Sequence, residues 1–488
     1  MLYWNLIKEG VHLAVYYINH EDALSFAKMF KKGISNDITK PCLDYVLEYE
    51  NEYFKNVLGY DFSFDSFTSV LSTLSQIRNY AFYSHSFPYS SFSFNFCKSI
   101  GDYAFVSHRT LTDISLPVCE YLGNYCFYRT CLSNIDFPNV LSIGRNCFGS
   151  VDWIKSVNLP RCNYISTSAF QSATGLLTVS IPVCSIIEQE AFRYCYKLMD
   201  VYMPCCESLG WGAFYSCSRL MSVDIPLCHT IGGSAFYGCN SLRYINCPNL
   251  SVATSALRIP TLVSLNCGAS IVRSNALRAM SVLTDISFPN VQIVESWAFE
   301  NTGIISINFP SCTTLSNNAF YSCKNLTTVN LPACTIIGDY CFRQCGSLQI
   351  VNAPSCTEIK RFAFYQCLSL SSINISNCTK IGSGAFESCR SLQTISLPAC
   401  SIVYANAFYN CWTLETISLP VCSYLGSSVF YGCSSLSCIY LLSSSFVSLE
   451  DFNVFNSCNA SIYVPVSMLE SYKSLLYWSD YSSRLVGV

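Results

Sequence analysis

The chain has 488 residues, of which 51% are hydrophobic and 12% charged, and its formal net charge is -3. This composition excludes intrinsic disorder, which requires low hydrophobicity and high net charge. Lys and Arg are scattered rather than gathered into a basic stripe, which argues against a nucleic-acid partner. The sequence contains no uninterrupted apolar run of about 18 residues, so it does not predict a membrane span.

Residues 1–70 differ from everything that follows and predict a separate helical segment. The apolar spacing within 21–33 and 42–60 is that of helices. The first residues lack a basic leader, and Lys8 and Glu9 interrupt their apolar stretch, so they make a poor signal peptide. We expect this segment to be an N-terminal cap or a small attachment module.

The stretch from 71 to 458 is an internal repeat built around the dipeptide Ala-Phe or a variant of it. There are 17 copies at steps of 20 to 23 residues, most often 22. The repeated position, which we call the Phe column, contains Phe82, Phe105, Phe127, Phe148, Phe170, Phe192, Phe214, Phe236, Leu257, Leu277, Phe299, Phe320, Phe342, Phe364, Phe386, Phe408 and Phe430. Self-similarity at a fixed period of this length predicts a solenoid. Residues 249–280 lose the aromatic ring twice, which fits a bend, a special contact or simple drift in tolerant copies.

One copy, such as 111–117, shows how a turn is expected to form. Ile114 and Leu116 are two residues apart, which predicts a short strand with both side chains inward and Ser115 outward. A proline follows and ends the strand, because it cannot donate a ladder hydrogen bond. The glycine of the next segment, for example Gly101 in the preceding copy, suits a turn with positive φ, but this geometry is not obligatory because other copies carry Glu188, Lys360 or Tyr404 there. The Ala-Phe segment returns the chain as a turn or a single helical coil, and stacked copies bury one another's apolar side.

The pattern LxxIxLPxCxxIGxxAFxxCxSL resembles the BspA-like leucine-rich repeat over roughly 75–458. The tail, 461–488, is similar to the closing segment of such proteins in gut bacteria and their phages. The resemblance implies an α/β-type solenoid that is mainly β: a right-handed coil of about 17 turns with a parallel sheet on one face, a helical N-terminal segment and a C-terminal cap. It also implies display on a cell surface, secretion or association with a virion.

Residues 459–488 predict the C-terminal cap. We expect a last strand at 461–465 and a helix near 466–476, beginning close to Pro465. The aromatic residues expected to seal the last coil are Tyr472, Tyr477, Trp478 and Tyr481.

The 31 cysteines fall mainly into two further columns. One lies two residues after the proline and includes Cys119, Cys184, Cys228, Cys334, Cys400 and Cys422. The other lies three residues after the Phe column and consists of Cys195, Cys217, Cys239, Cys323, Cys345, Cys367, Cys389, Cys411 and Cys433. Zinc sites pair short Cys/His spacings, which are missing here, and parallel stacked side chains do not favour disulfides. We interpret both columns as small buried residues and expect a reducing cytoplasm or an anaerobic niche.

Two outward columns are candidates for partner binding. One follows the Phe column directly and contains Tyr83, Tyr128, Tyr215, Tyr237, Tyr321, Tyr365, Tyr409 and Tyr431. The other follows the buried strand position and includes Asn308, Asn330, Asn352 and Asn374. Tyrosine is a good contact residue for sugars and proteins, but these rings could equally pack against one another. The asparagines could form a flat polar face for a ligand or an amide ladder that satisfies itself.

No catalytic constellation stands out, and the sequence predicts neither enzyme activity, nor a metal site, nor a cofactor. A thiol–imidazole pair at Cys228 and His229 is conceivable, although adjacent side chains usually diverge. Two function classes remain open. The first is a non-enzymatic protein for adhesion to, or recognition of, host or microbial surface proteins or glycans, and the second is an intracellular structural or protein-interaction scaffold.

Overall fold

The computed structural model describes residues 75–77, 79–83 and 90–488. The helices expected within 1–70 lie outside the described residues. The chain divides into two compact units, Met1–Leu242 and Arg243–Val488, which are treated separately below. The fold is a mainly β solenoid of about 18 turns with parallel sheets.

Each turn begins with a long strand in which the middle residue is buried and the two flanking residues face outward, as the spacing of apolar residues predicts. In the first unit the long strands are Ser91–Ser93, Asp113–Ser115, Asn134–Asp136, Ser156–Asn158, Thr178–Ser180, Asp200–Tyr202 and Ser222–Asp224. In the second unit they are Tyr244–Cys247, Ser264–Cys267, Asp285–Ser287, Ser306–Asn308, Thr328–Asn330, Ile350–Asn352, Ser372–Asn374, Thr394–Ser396, Thr416–Ser418, Cys438–Tyr440 and Ser461–Val464. Each long strand pairs in parallel with the equivalent strand of the next turn, so that Val179 lies opposite Val201.

A second, two-residue strand follows in every turn, which the sequence analysis did not predict. In the first unit these short strands are Gln76–Ile77, Ser99–Ile100, Tyr121–Leu122, Ser142–Ile143, Tyr164–Ile165, Ile186–Ile187, Ser208–Leu209 and Thr230–Ile231. In the second unit they are Val252–Ala253, Ile271–Val272, Ile293–Val294, Thr314–Leu315, Ile336–Ile337, Glu358–Ile359, Lys380–Ile381, Ile402–Val403, Tyr424–Leu425 and Ser448–Leu449. They form continuous parallel sheets of 8 and 10 strands, whereas the long strands are grouped into smaller sheets.

The Ala-Phe segment is a turn rather than a helical coil. Its backbone joins the next turn of the solenoid, since the Phe170 amide donates to the Ala191 carbonyl at 2.7 Å. Positive φ occurs two residues before and two residues after the Phe column, for example at Ser168 (58°) and Ser172 (60°). These positions are filled mainly by Ser, Asn, Tyr, Gln and Gly.

The expectation of positive φ at the column glycines is wrong. Gly101 and Gly144 are not among the residues with positive φ. Glycine is needed at 144 for a different reason, because a Cβ there would lie 2.5 Å from the carbonyl carbon of Gly123 in the preceding turn. The backbones of these two turns are too close to admit a side chain at 144, although Glu188 and Lys360 occupy the same position in other copies.

The core of each unit is a stack of Phe rings. Neighbouring rings of the Phe column lie 4.7–5.8 Å apart in the first unit, from Phe82 to Phe236, with interplanar angles of 2–10°. In the second unit the stack runs from Phe299 to Phe455, with centroids 5.0–5.8 Å apart.

Leu257 and Leu277 keep the column buried, and a 3-10 helix at Ser255–Leu257 replaces the turn in the copy of Leu257. Phe455 marks a further copy that the alignment missed, because its step is longer than any earlier one.

The C-terminal elements close the second unit. After the predicted strand, present as Ser461–Val464, come a 3-10 helix at Val466–Met468, the helix α1 at Leu469–Ser474, a 3-10 helix at Ser479–Arg484 and a strand at Leu485–Gly487. The Trp478 indole packs 5.7 Å from the Phe455 ring and donates to the Val447 carbonyl at 2.8 Å. Tyr472 and Tyr481 are also buried there, while Tyr477 is only half-buried. Within the described part of the chain, no helix has the length and apolar character that a membrane crossing demands.

Candidate functional site

The tyrosines that follow the Phe column form one line within each unit, and we call both lines the tyrosine edge: Tyr83, Tyr128, Tyr215 and Tyr237 in the first unit, and Tyr321, Tyr365, Tyr409 and Tyr431 in the second. Their place is set by the buried Phe before each of them, which turns the next side chain outward. Tyr237 is the most exposed, at 63%, Tyr431 is 36% exposed, and the others are half-buried. The edge therefore consists of partly covered rings that each present one side to solvent.

The rings of the tyrosine edge also contact one another. Tyr215 and Tyr237 stack with centroids 5.0 Å apart, and Tyr409 and Tyr431 stack at 4.9 Å. Elsewhere a tyrosine of the edge meets another aromatic edge-on, as Tyr128 does with Tyr125 at 5.5 Å. Stacking leaves each ring little freedom, so the edge is ordered before any ligand arrives.

A second aromatic column borders the tyrosine edge and was missed in the sequence analysis. It lies two residues before the Phe column, at one of the positions with positive φ, and contains Tyr80, Tyr103, Tyr125, Trp297, Tyr340 and Phe362. Tyr103 stacks on Tyr80 at 5.0 Å and on Tyr125 at 4.9 Å. The signal was available, because these aromatics recur at the repeat period.

Charged residues interrupt the tyrosine edge in both units. In the first unit the Arg193 guanidinium lies 4.6 Å from the Tyr194 ring and 5.1 Å from the Tyr215 ring, and it pairs with Glu190. In the second unit the Arg343 guanidinium lies 4.8 Å from the Tyr365 ring and 5.4 Å from the Tyr340 ring. Such contacts hold a cation against an aromatic face and contribute roughly 0.5–2 kcal/mol each.

Glu387 occupies the equivalent position one turn beyond Tyr365. Burial raises the pKa of its carboxyl above the usual range, and the positive charge of Arg343 opposes this rise. The edge therefore alternates aromatic rings with single charges of both signs.

The four successive asparagines form an amide ladder, which is one of the two arrangements that the sequence left open for them. Each side-chain nitrogen donates to the side-chain oxygen of the preceding turn, at 2.7 Å from Asn330 to Asn308, 2.7 Å from Asn352 to Asn330 and 2.9 Å from Asn374 to Asn352. Asn308 and Asn374, at the two ends, are the more exposed members. Most of the amide groups are thus already engaged with one another.

Both cysteine columns are buried, and their thiols donate to backbone carbonyls. In the column after the proline, the bond goes to the residue two positions on, as from Cys184 to Ile186 at 3.3 Å. In the column after Phe, the acceptor is the Phe carbonyl of the preceding turn, as from Cys367 to Phe342 at 3.1 Å. Thr130 and Thr302 stand in this second column and bond the Phe carbonyl of their own turn. A side chain with a donor suits this position in most turns, which explains why cysteine recurs, whereas Val151, Ala173 and Met280 fill it without one.

All thirty cysteines that the structure describes are thiols, and only Cys131, Cys205 and Cys438 are partly exposed. Burial raises the pKa of the Cys162 and Cys312 thiols to about 12. Such thiols are poor nucleophiles, because only the thiolate reacts readily.

Over residues 75–77, 79–83 and 90–488, no group of three or more His, Cys, Asp or Glu side chains could hold a metal ion. The conceivable thiol–imidazole pair does not form, since Cys228 is buried and bonds the Thr230 carbonyl at 3.2 Å, whereas His229 is exposed. The two adjacent side chains diverge, as neighbours on an extended backbone do.

The repeat architecture and its columns correspond to a known family. The BspA type leucine rich repeat region (6 copies) matches overlapping segments at 75–199, 142–256, 207–327, 258–367 and 357–480. The chain belongs to this family of repeat proteins, and no enzyme family matches it. No match to a curated protein sequence reaches significance.

Several solved structures of leucine-rich repeat proteins are similar to the chain. A protein from Bacteroides ovatus ATCC 8483 is 23% identical, with a TM-score of 0.48, and the match covers 65% of this chain and 91% of that one. The T. pallidum leucine rich repeat protein is 28% identical, with a TM-score of 0.32, and the match covers 34% of this chain and 80% of that one. A leucine rich cell surface protein from Faecalibacterium prausnitzii A2-165 is 18% identical, with a TM-score of 0.27 and coverages of 74% and 86%.

Proposed function

We propose that the protein is a non-enzymatic binding protein that recognises surface proteins or glycans of a host or microbe through its tyrosine edge. The observation that carries the proposal is the set of partly exposed aromatic rings, which stack at the spacing of one turn at Tyr215 and Tyr237 and again at Tyr409 and Tyr431. Trp, Tyr and Arg dominate the binding energy of protein interfaces, and all three occur along this edge.

The segment from Tyr194 to Tyr237 in the first unit supports the proposal most strongly. It combines Tyr237, 63% exposed, with Trp211, 44% exposed, and both lie beside the Tyr215 ring. Arg193, which is stacked on two tyrosines and paired with Glu190, adds a guanidinium group at the same place. Because the rings are held by their neighbours, little side-chain entropy is lost when a ligand binds.

A repeating edge suits a repeating ligand. Successive aromatic rings lie about 5 Å apart, as between Tyr215 and Tyr237 at 5.0 Å, so an extended chain could contact several turns at once. Several weak contacts of this kind combine into a strong one, because each contact after the first is intramolecular.

An array of surface glycans and mucosal proteins tests the proposal directly. We expect the full chain to bind some ligands and the double variant Tyr215→Ala/Tyr237→Ala to bind them at least about tenfold more weakly. The matched control is Tyr121→Ala, since Tyr121 is 51% exposed but lies on a short strand. Equal binding by all three proteins would remove the tyrosine edge from the proposal.

The alternative function, an intracellular structural or protein-interaction scaffold, has one observation in its favour. The thirty described cysteines are thiols that stay reduced most readily in a reducing compartment. A complete lack of binding on the array would favour this function over surface recognition.

A further inference from the structure

A shallow groove in the second unit lies beside the tyrosine edge and is formed by three successive turns. Its volume is about 420 Å³, within the range of roughly 300–1,000 Å³ typical of ligand clefts. The lining residues are Ser322, Lys324, Gln344, Gly346, Ser347, Gln366 and Leu368.

The groove exists because one turn lacks a side chain that its neighbours have. Lys324, Gly346 and Leu368 occupy the same position, four residues after the Phe column, in successive turns. Glycine at 346 is not required by the backbone, because its φ is not positive and an added Cβ would meet nothing within 4 Å. The missing side chain opens a notch between a cation and an apolar residue.

One wall of the groove is a line of polar groups. The Ser322 hydroxyl donates to the Gln344 amide oxygen at 3.5 Å, and the Gln344 amide nitrogen donates to the Gln366 oxygen at 3.2 Å. The Gln366 nitrogen ends this line, and among the described residues it has no acceptor. It is therefore available as a donor to a ligand.

Lys324 supplies a positive charge that the protein itself does not neutralise. It is exposed, and no described carboxylate forms an ion pair with it. The same position three and four turns beyond Lys324 holds Arg390 and Trp412, with the guanidinium 4.1 Å from the indole ring. A ligand that extends beyond the groove would thus meet a second cation and an exposed aromatic face.

We propose that this groove binds a carboxylate-bearing sugar residue of a glycan, with Lys324 and the Gln366 amide at its acidic group and Leu368 against its apolar face. Hydroxyl and amide groups in a row satisfy the many hydroxyls of a sugar, and the unpaired lysine selects the acidic kind. The site names a ligand class for the proposed binding function, on which it rests, but it uses none of the residues of the tyrosine edge.

The test is calorimetric titration of the full chain with sialyllactose and with digalacturonic acid, two acidic sugars of different origin, and with neutral lactose. We expect at least one acidic sugar to bind and lactose to bind at least about tenfold more weakly. The variant Lys324→Gln should lose about tenfold in affinity, whereas Lys380→Gln, which changes an exposed lysine on a short strand, should bind like the wild type.

A second variant, Gly346→Leu, fills the notch without changing any charge. It should abolish acidic-sugar binding and leave the unfolding temperature unchanged, because a side chain at 346 enters open space. Unaltered affinity in this variant, or no binding of either acidic sugar by the wild type, would overturn the proposal. Equal competition by a hexaglutamate peptide would also overturn it and would indicate an acidic peptide ligand instead.

These outcomes separate the two proposals. If Gly346→Leu loses affinity for an acidic sugar while Tyr215→Ala/Tyr237→Ala binds the array ligands like the wild type, the groove stands and the tyrosine edge does not. The reverse pattern on the array and in the titration would support the edge and reject the groove.

Discussion

At the scale of the residue, the structure distinguishes glycines that the fold needs from one that it does not. Gly382 belongs to the glycine column, and a Cβ there would lie 2.6 Å from the Lys360 carbonyl carbon. Gly346 has no such neighbour, and an added Cβ would enter open space. Identical residues therefore have opposite roles, close backbone approach in one case and an open groove in the other.

We predict that Gly382→Ala lowers the free energy of unfolding by about 1–3 kcal/mol, because the backbones of two turns must separate. Gly346→Ala should leave it unchanged or raise it by about 0.4–1 kcal/mol, through the reduced freedom of the unfolded chain. Urea unfolding of both variants measures the difference. Equal destabilisation by the two substitutions would contradict the assignment of these roles.

At the scale of the element, regular patterns were predictable and local backbone geometry was not. The long strands and the buried Phe column follow from apolar residues at fixed spacing, as at Ile114 and Leu116. The short strands were not predicted because a strand of two residues, such as Ile186–Ile187, buries only one of them. A single buried residue shows no alternation of apolar and polar positions. Positive φ was assigned to Gly101 instead of the positions flanking Phe, since the stacking of backbones cannot be read from one turn.

The candidate site was only partly predictable for a similar reason. The tyrosines and asparagines could be named because they recur in columns, but the stacking of Tyr215 on Tyr237 depends on ring orientation. The groove at Gly346 depends on a side chain that is missing relative to its neighbours. Such a feature becomes visible only when successive turns are superimposed in space.

The closing elements of the second unit give a prediction of their own. Trp478→Ala removes a ring that covers Phe455 and a donor to the Val447 carbonyl, so it should lower stability by about 3–5 kcal/mol. Hydrogen exchange should increase at 439–455 and stay unchanged around Phe320. The control Tyr477→Ala, at a half-buried neighbour, should change stability by less than about 1 kcal/mol. Uniform loss of protection throughout the unit would contradict a local capping role.

At the scale of the whole molecule, stability depends on many equivalent turns and on many buried thiols. Each turn buries a Phe ring, or a Leu in the copies of Leu257 and Leu277, together with inward strand residues and, in most copies, one or two cysteines. In a solenoid the free energy is approximately a sum over turns and over contacts between neighbouring turns. A property shared by every turn, such as a buried thiol, is therefore multiplied along the chain.

The buried thiols predict a loss of stability in alkali. Burial raises the pKa of Cys119, Cys162 and Cys184 from 9.0 to about 12. The stability that these thiols contribute is complete below pH 9. It is lost as the pH rises from 9 towards 12, because the unfolded chain then releases protons that the folded chain retains. Each such thiol lowers the free energy of unfolding by about 1.4 kcal/mol for every pH unit across this window.

Urea midpoints measured anaerobically with a reductant at pH 7, 9 and 10.5 check this expectation. The midpoint should be highest at pH 7, lower at pH 9, where thiols of the unfolded chain are ionising, and much lower at pH 10.5. A variant with Cys119→Ala, Cys162→Ala and Cys184→Ala should show a shallower fall, which separates the thiols from titrating tyrosines. A midpoint independent of pH up to 10.5 would contradict the burial of the thiols.

The most direct measurement is a double-mutant cycle on the Phe column of the second unit. Phe364 and Phe386 stack with centroids 5.3 Å apart and parallel planes, while Phe320 and Phe408 are four turns apart. Phe→Leu, the residue native at 257 and 277, is introduced singly and in pairs, and the free energy of unfolding is measured. We predict a coupling of about 0.5–1.5 kcal/mol for Phe364 and Phe386, and none beyond about 0.5 kcal/mol for the distant pair. Absence of coupling between Phe364 and Phe386, or equal coupling for both pairs, would contradict the stabilisation of each turn by its immediate neighbours.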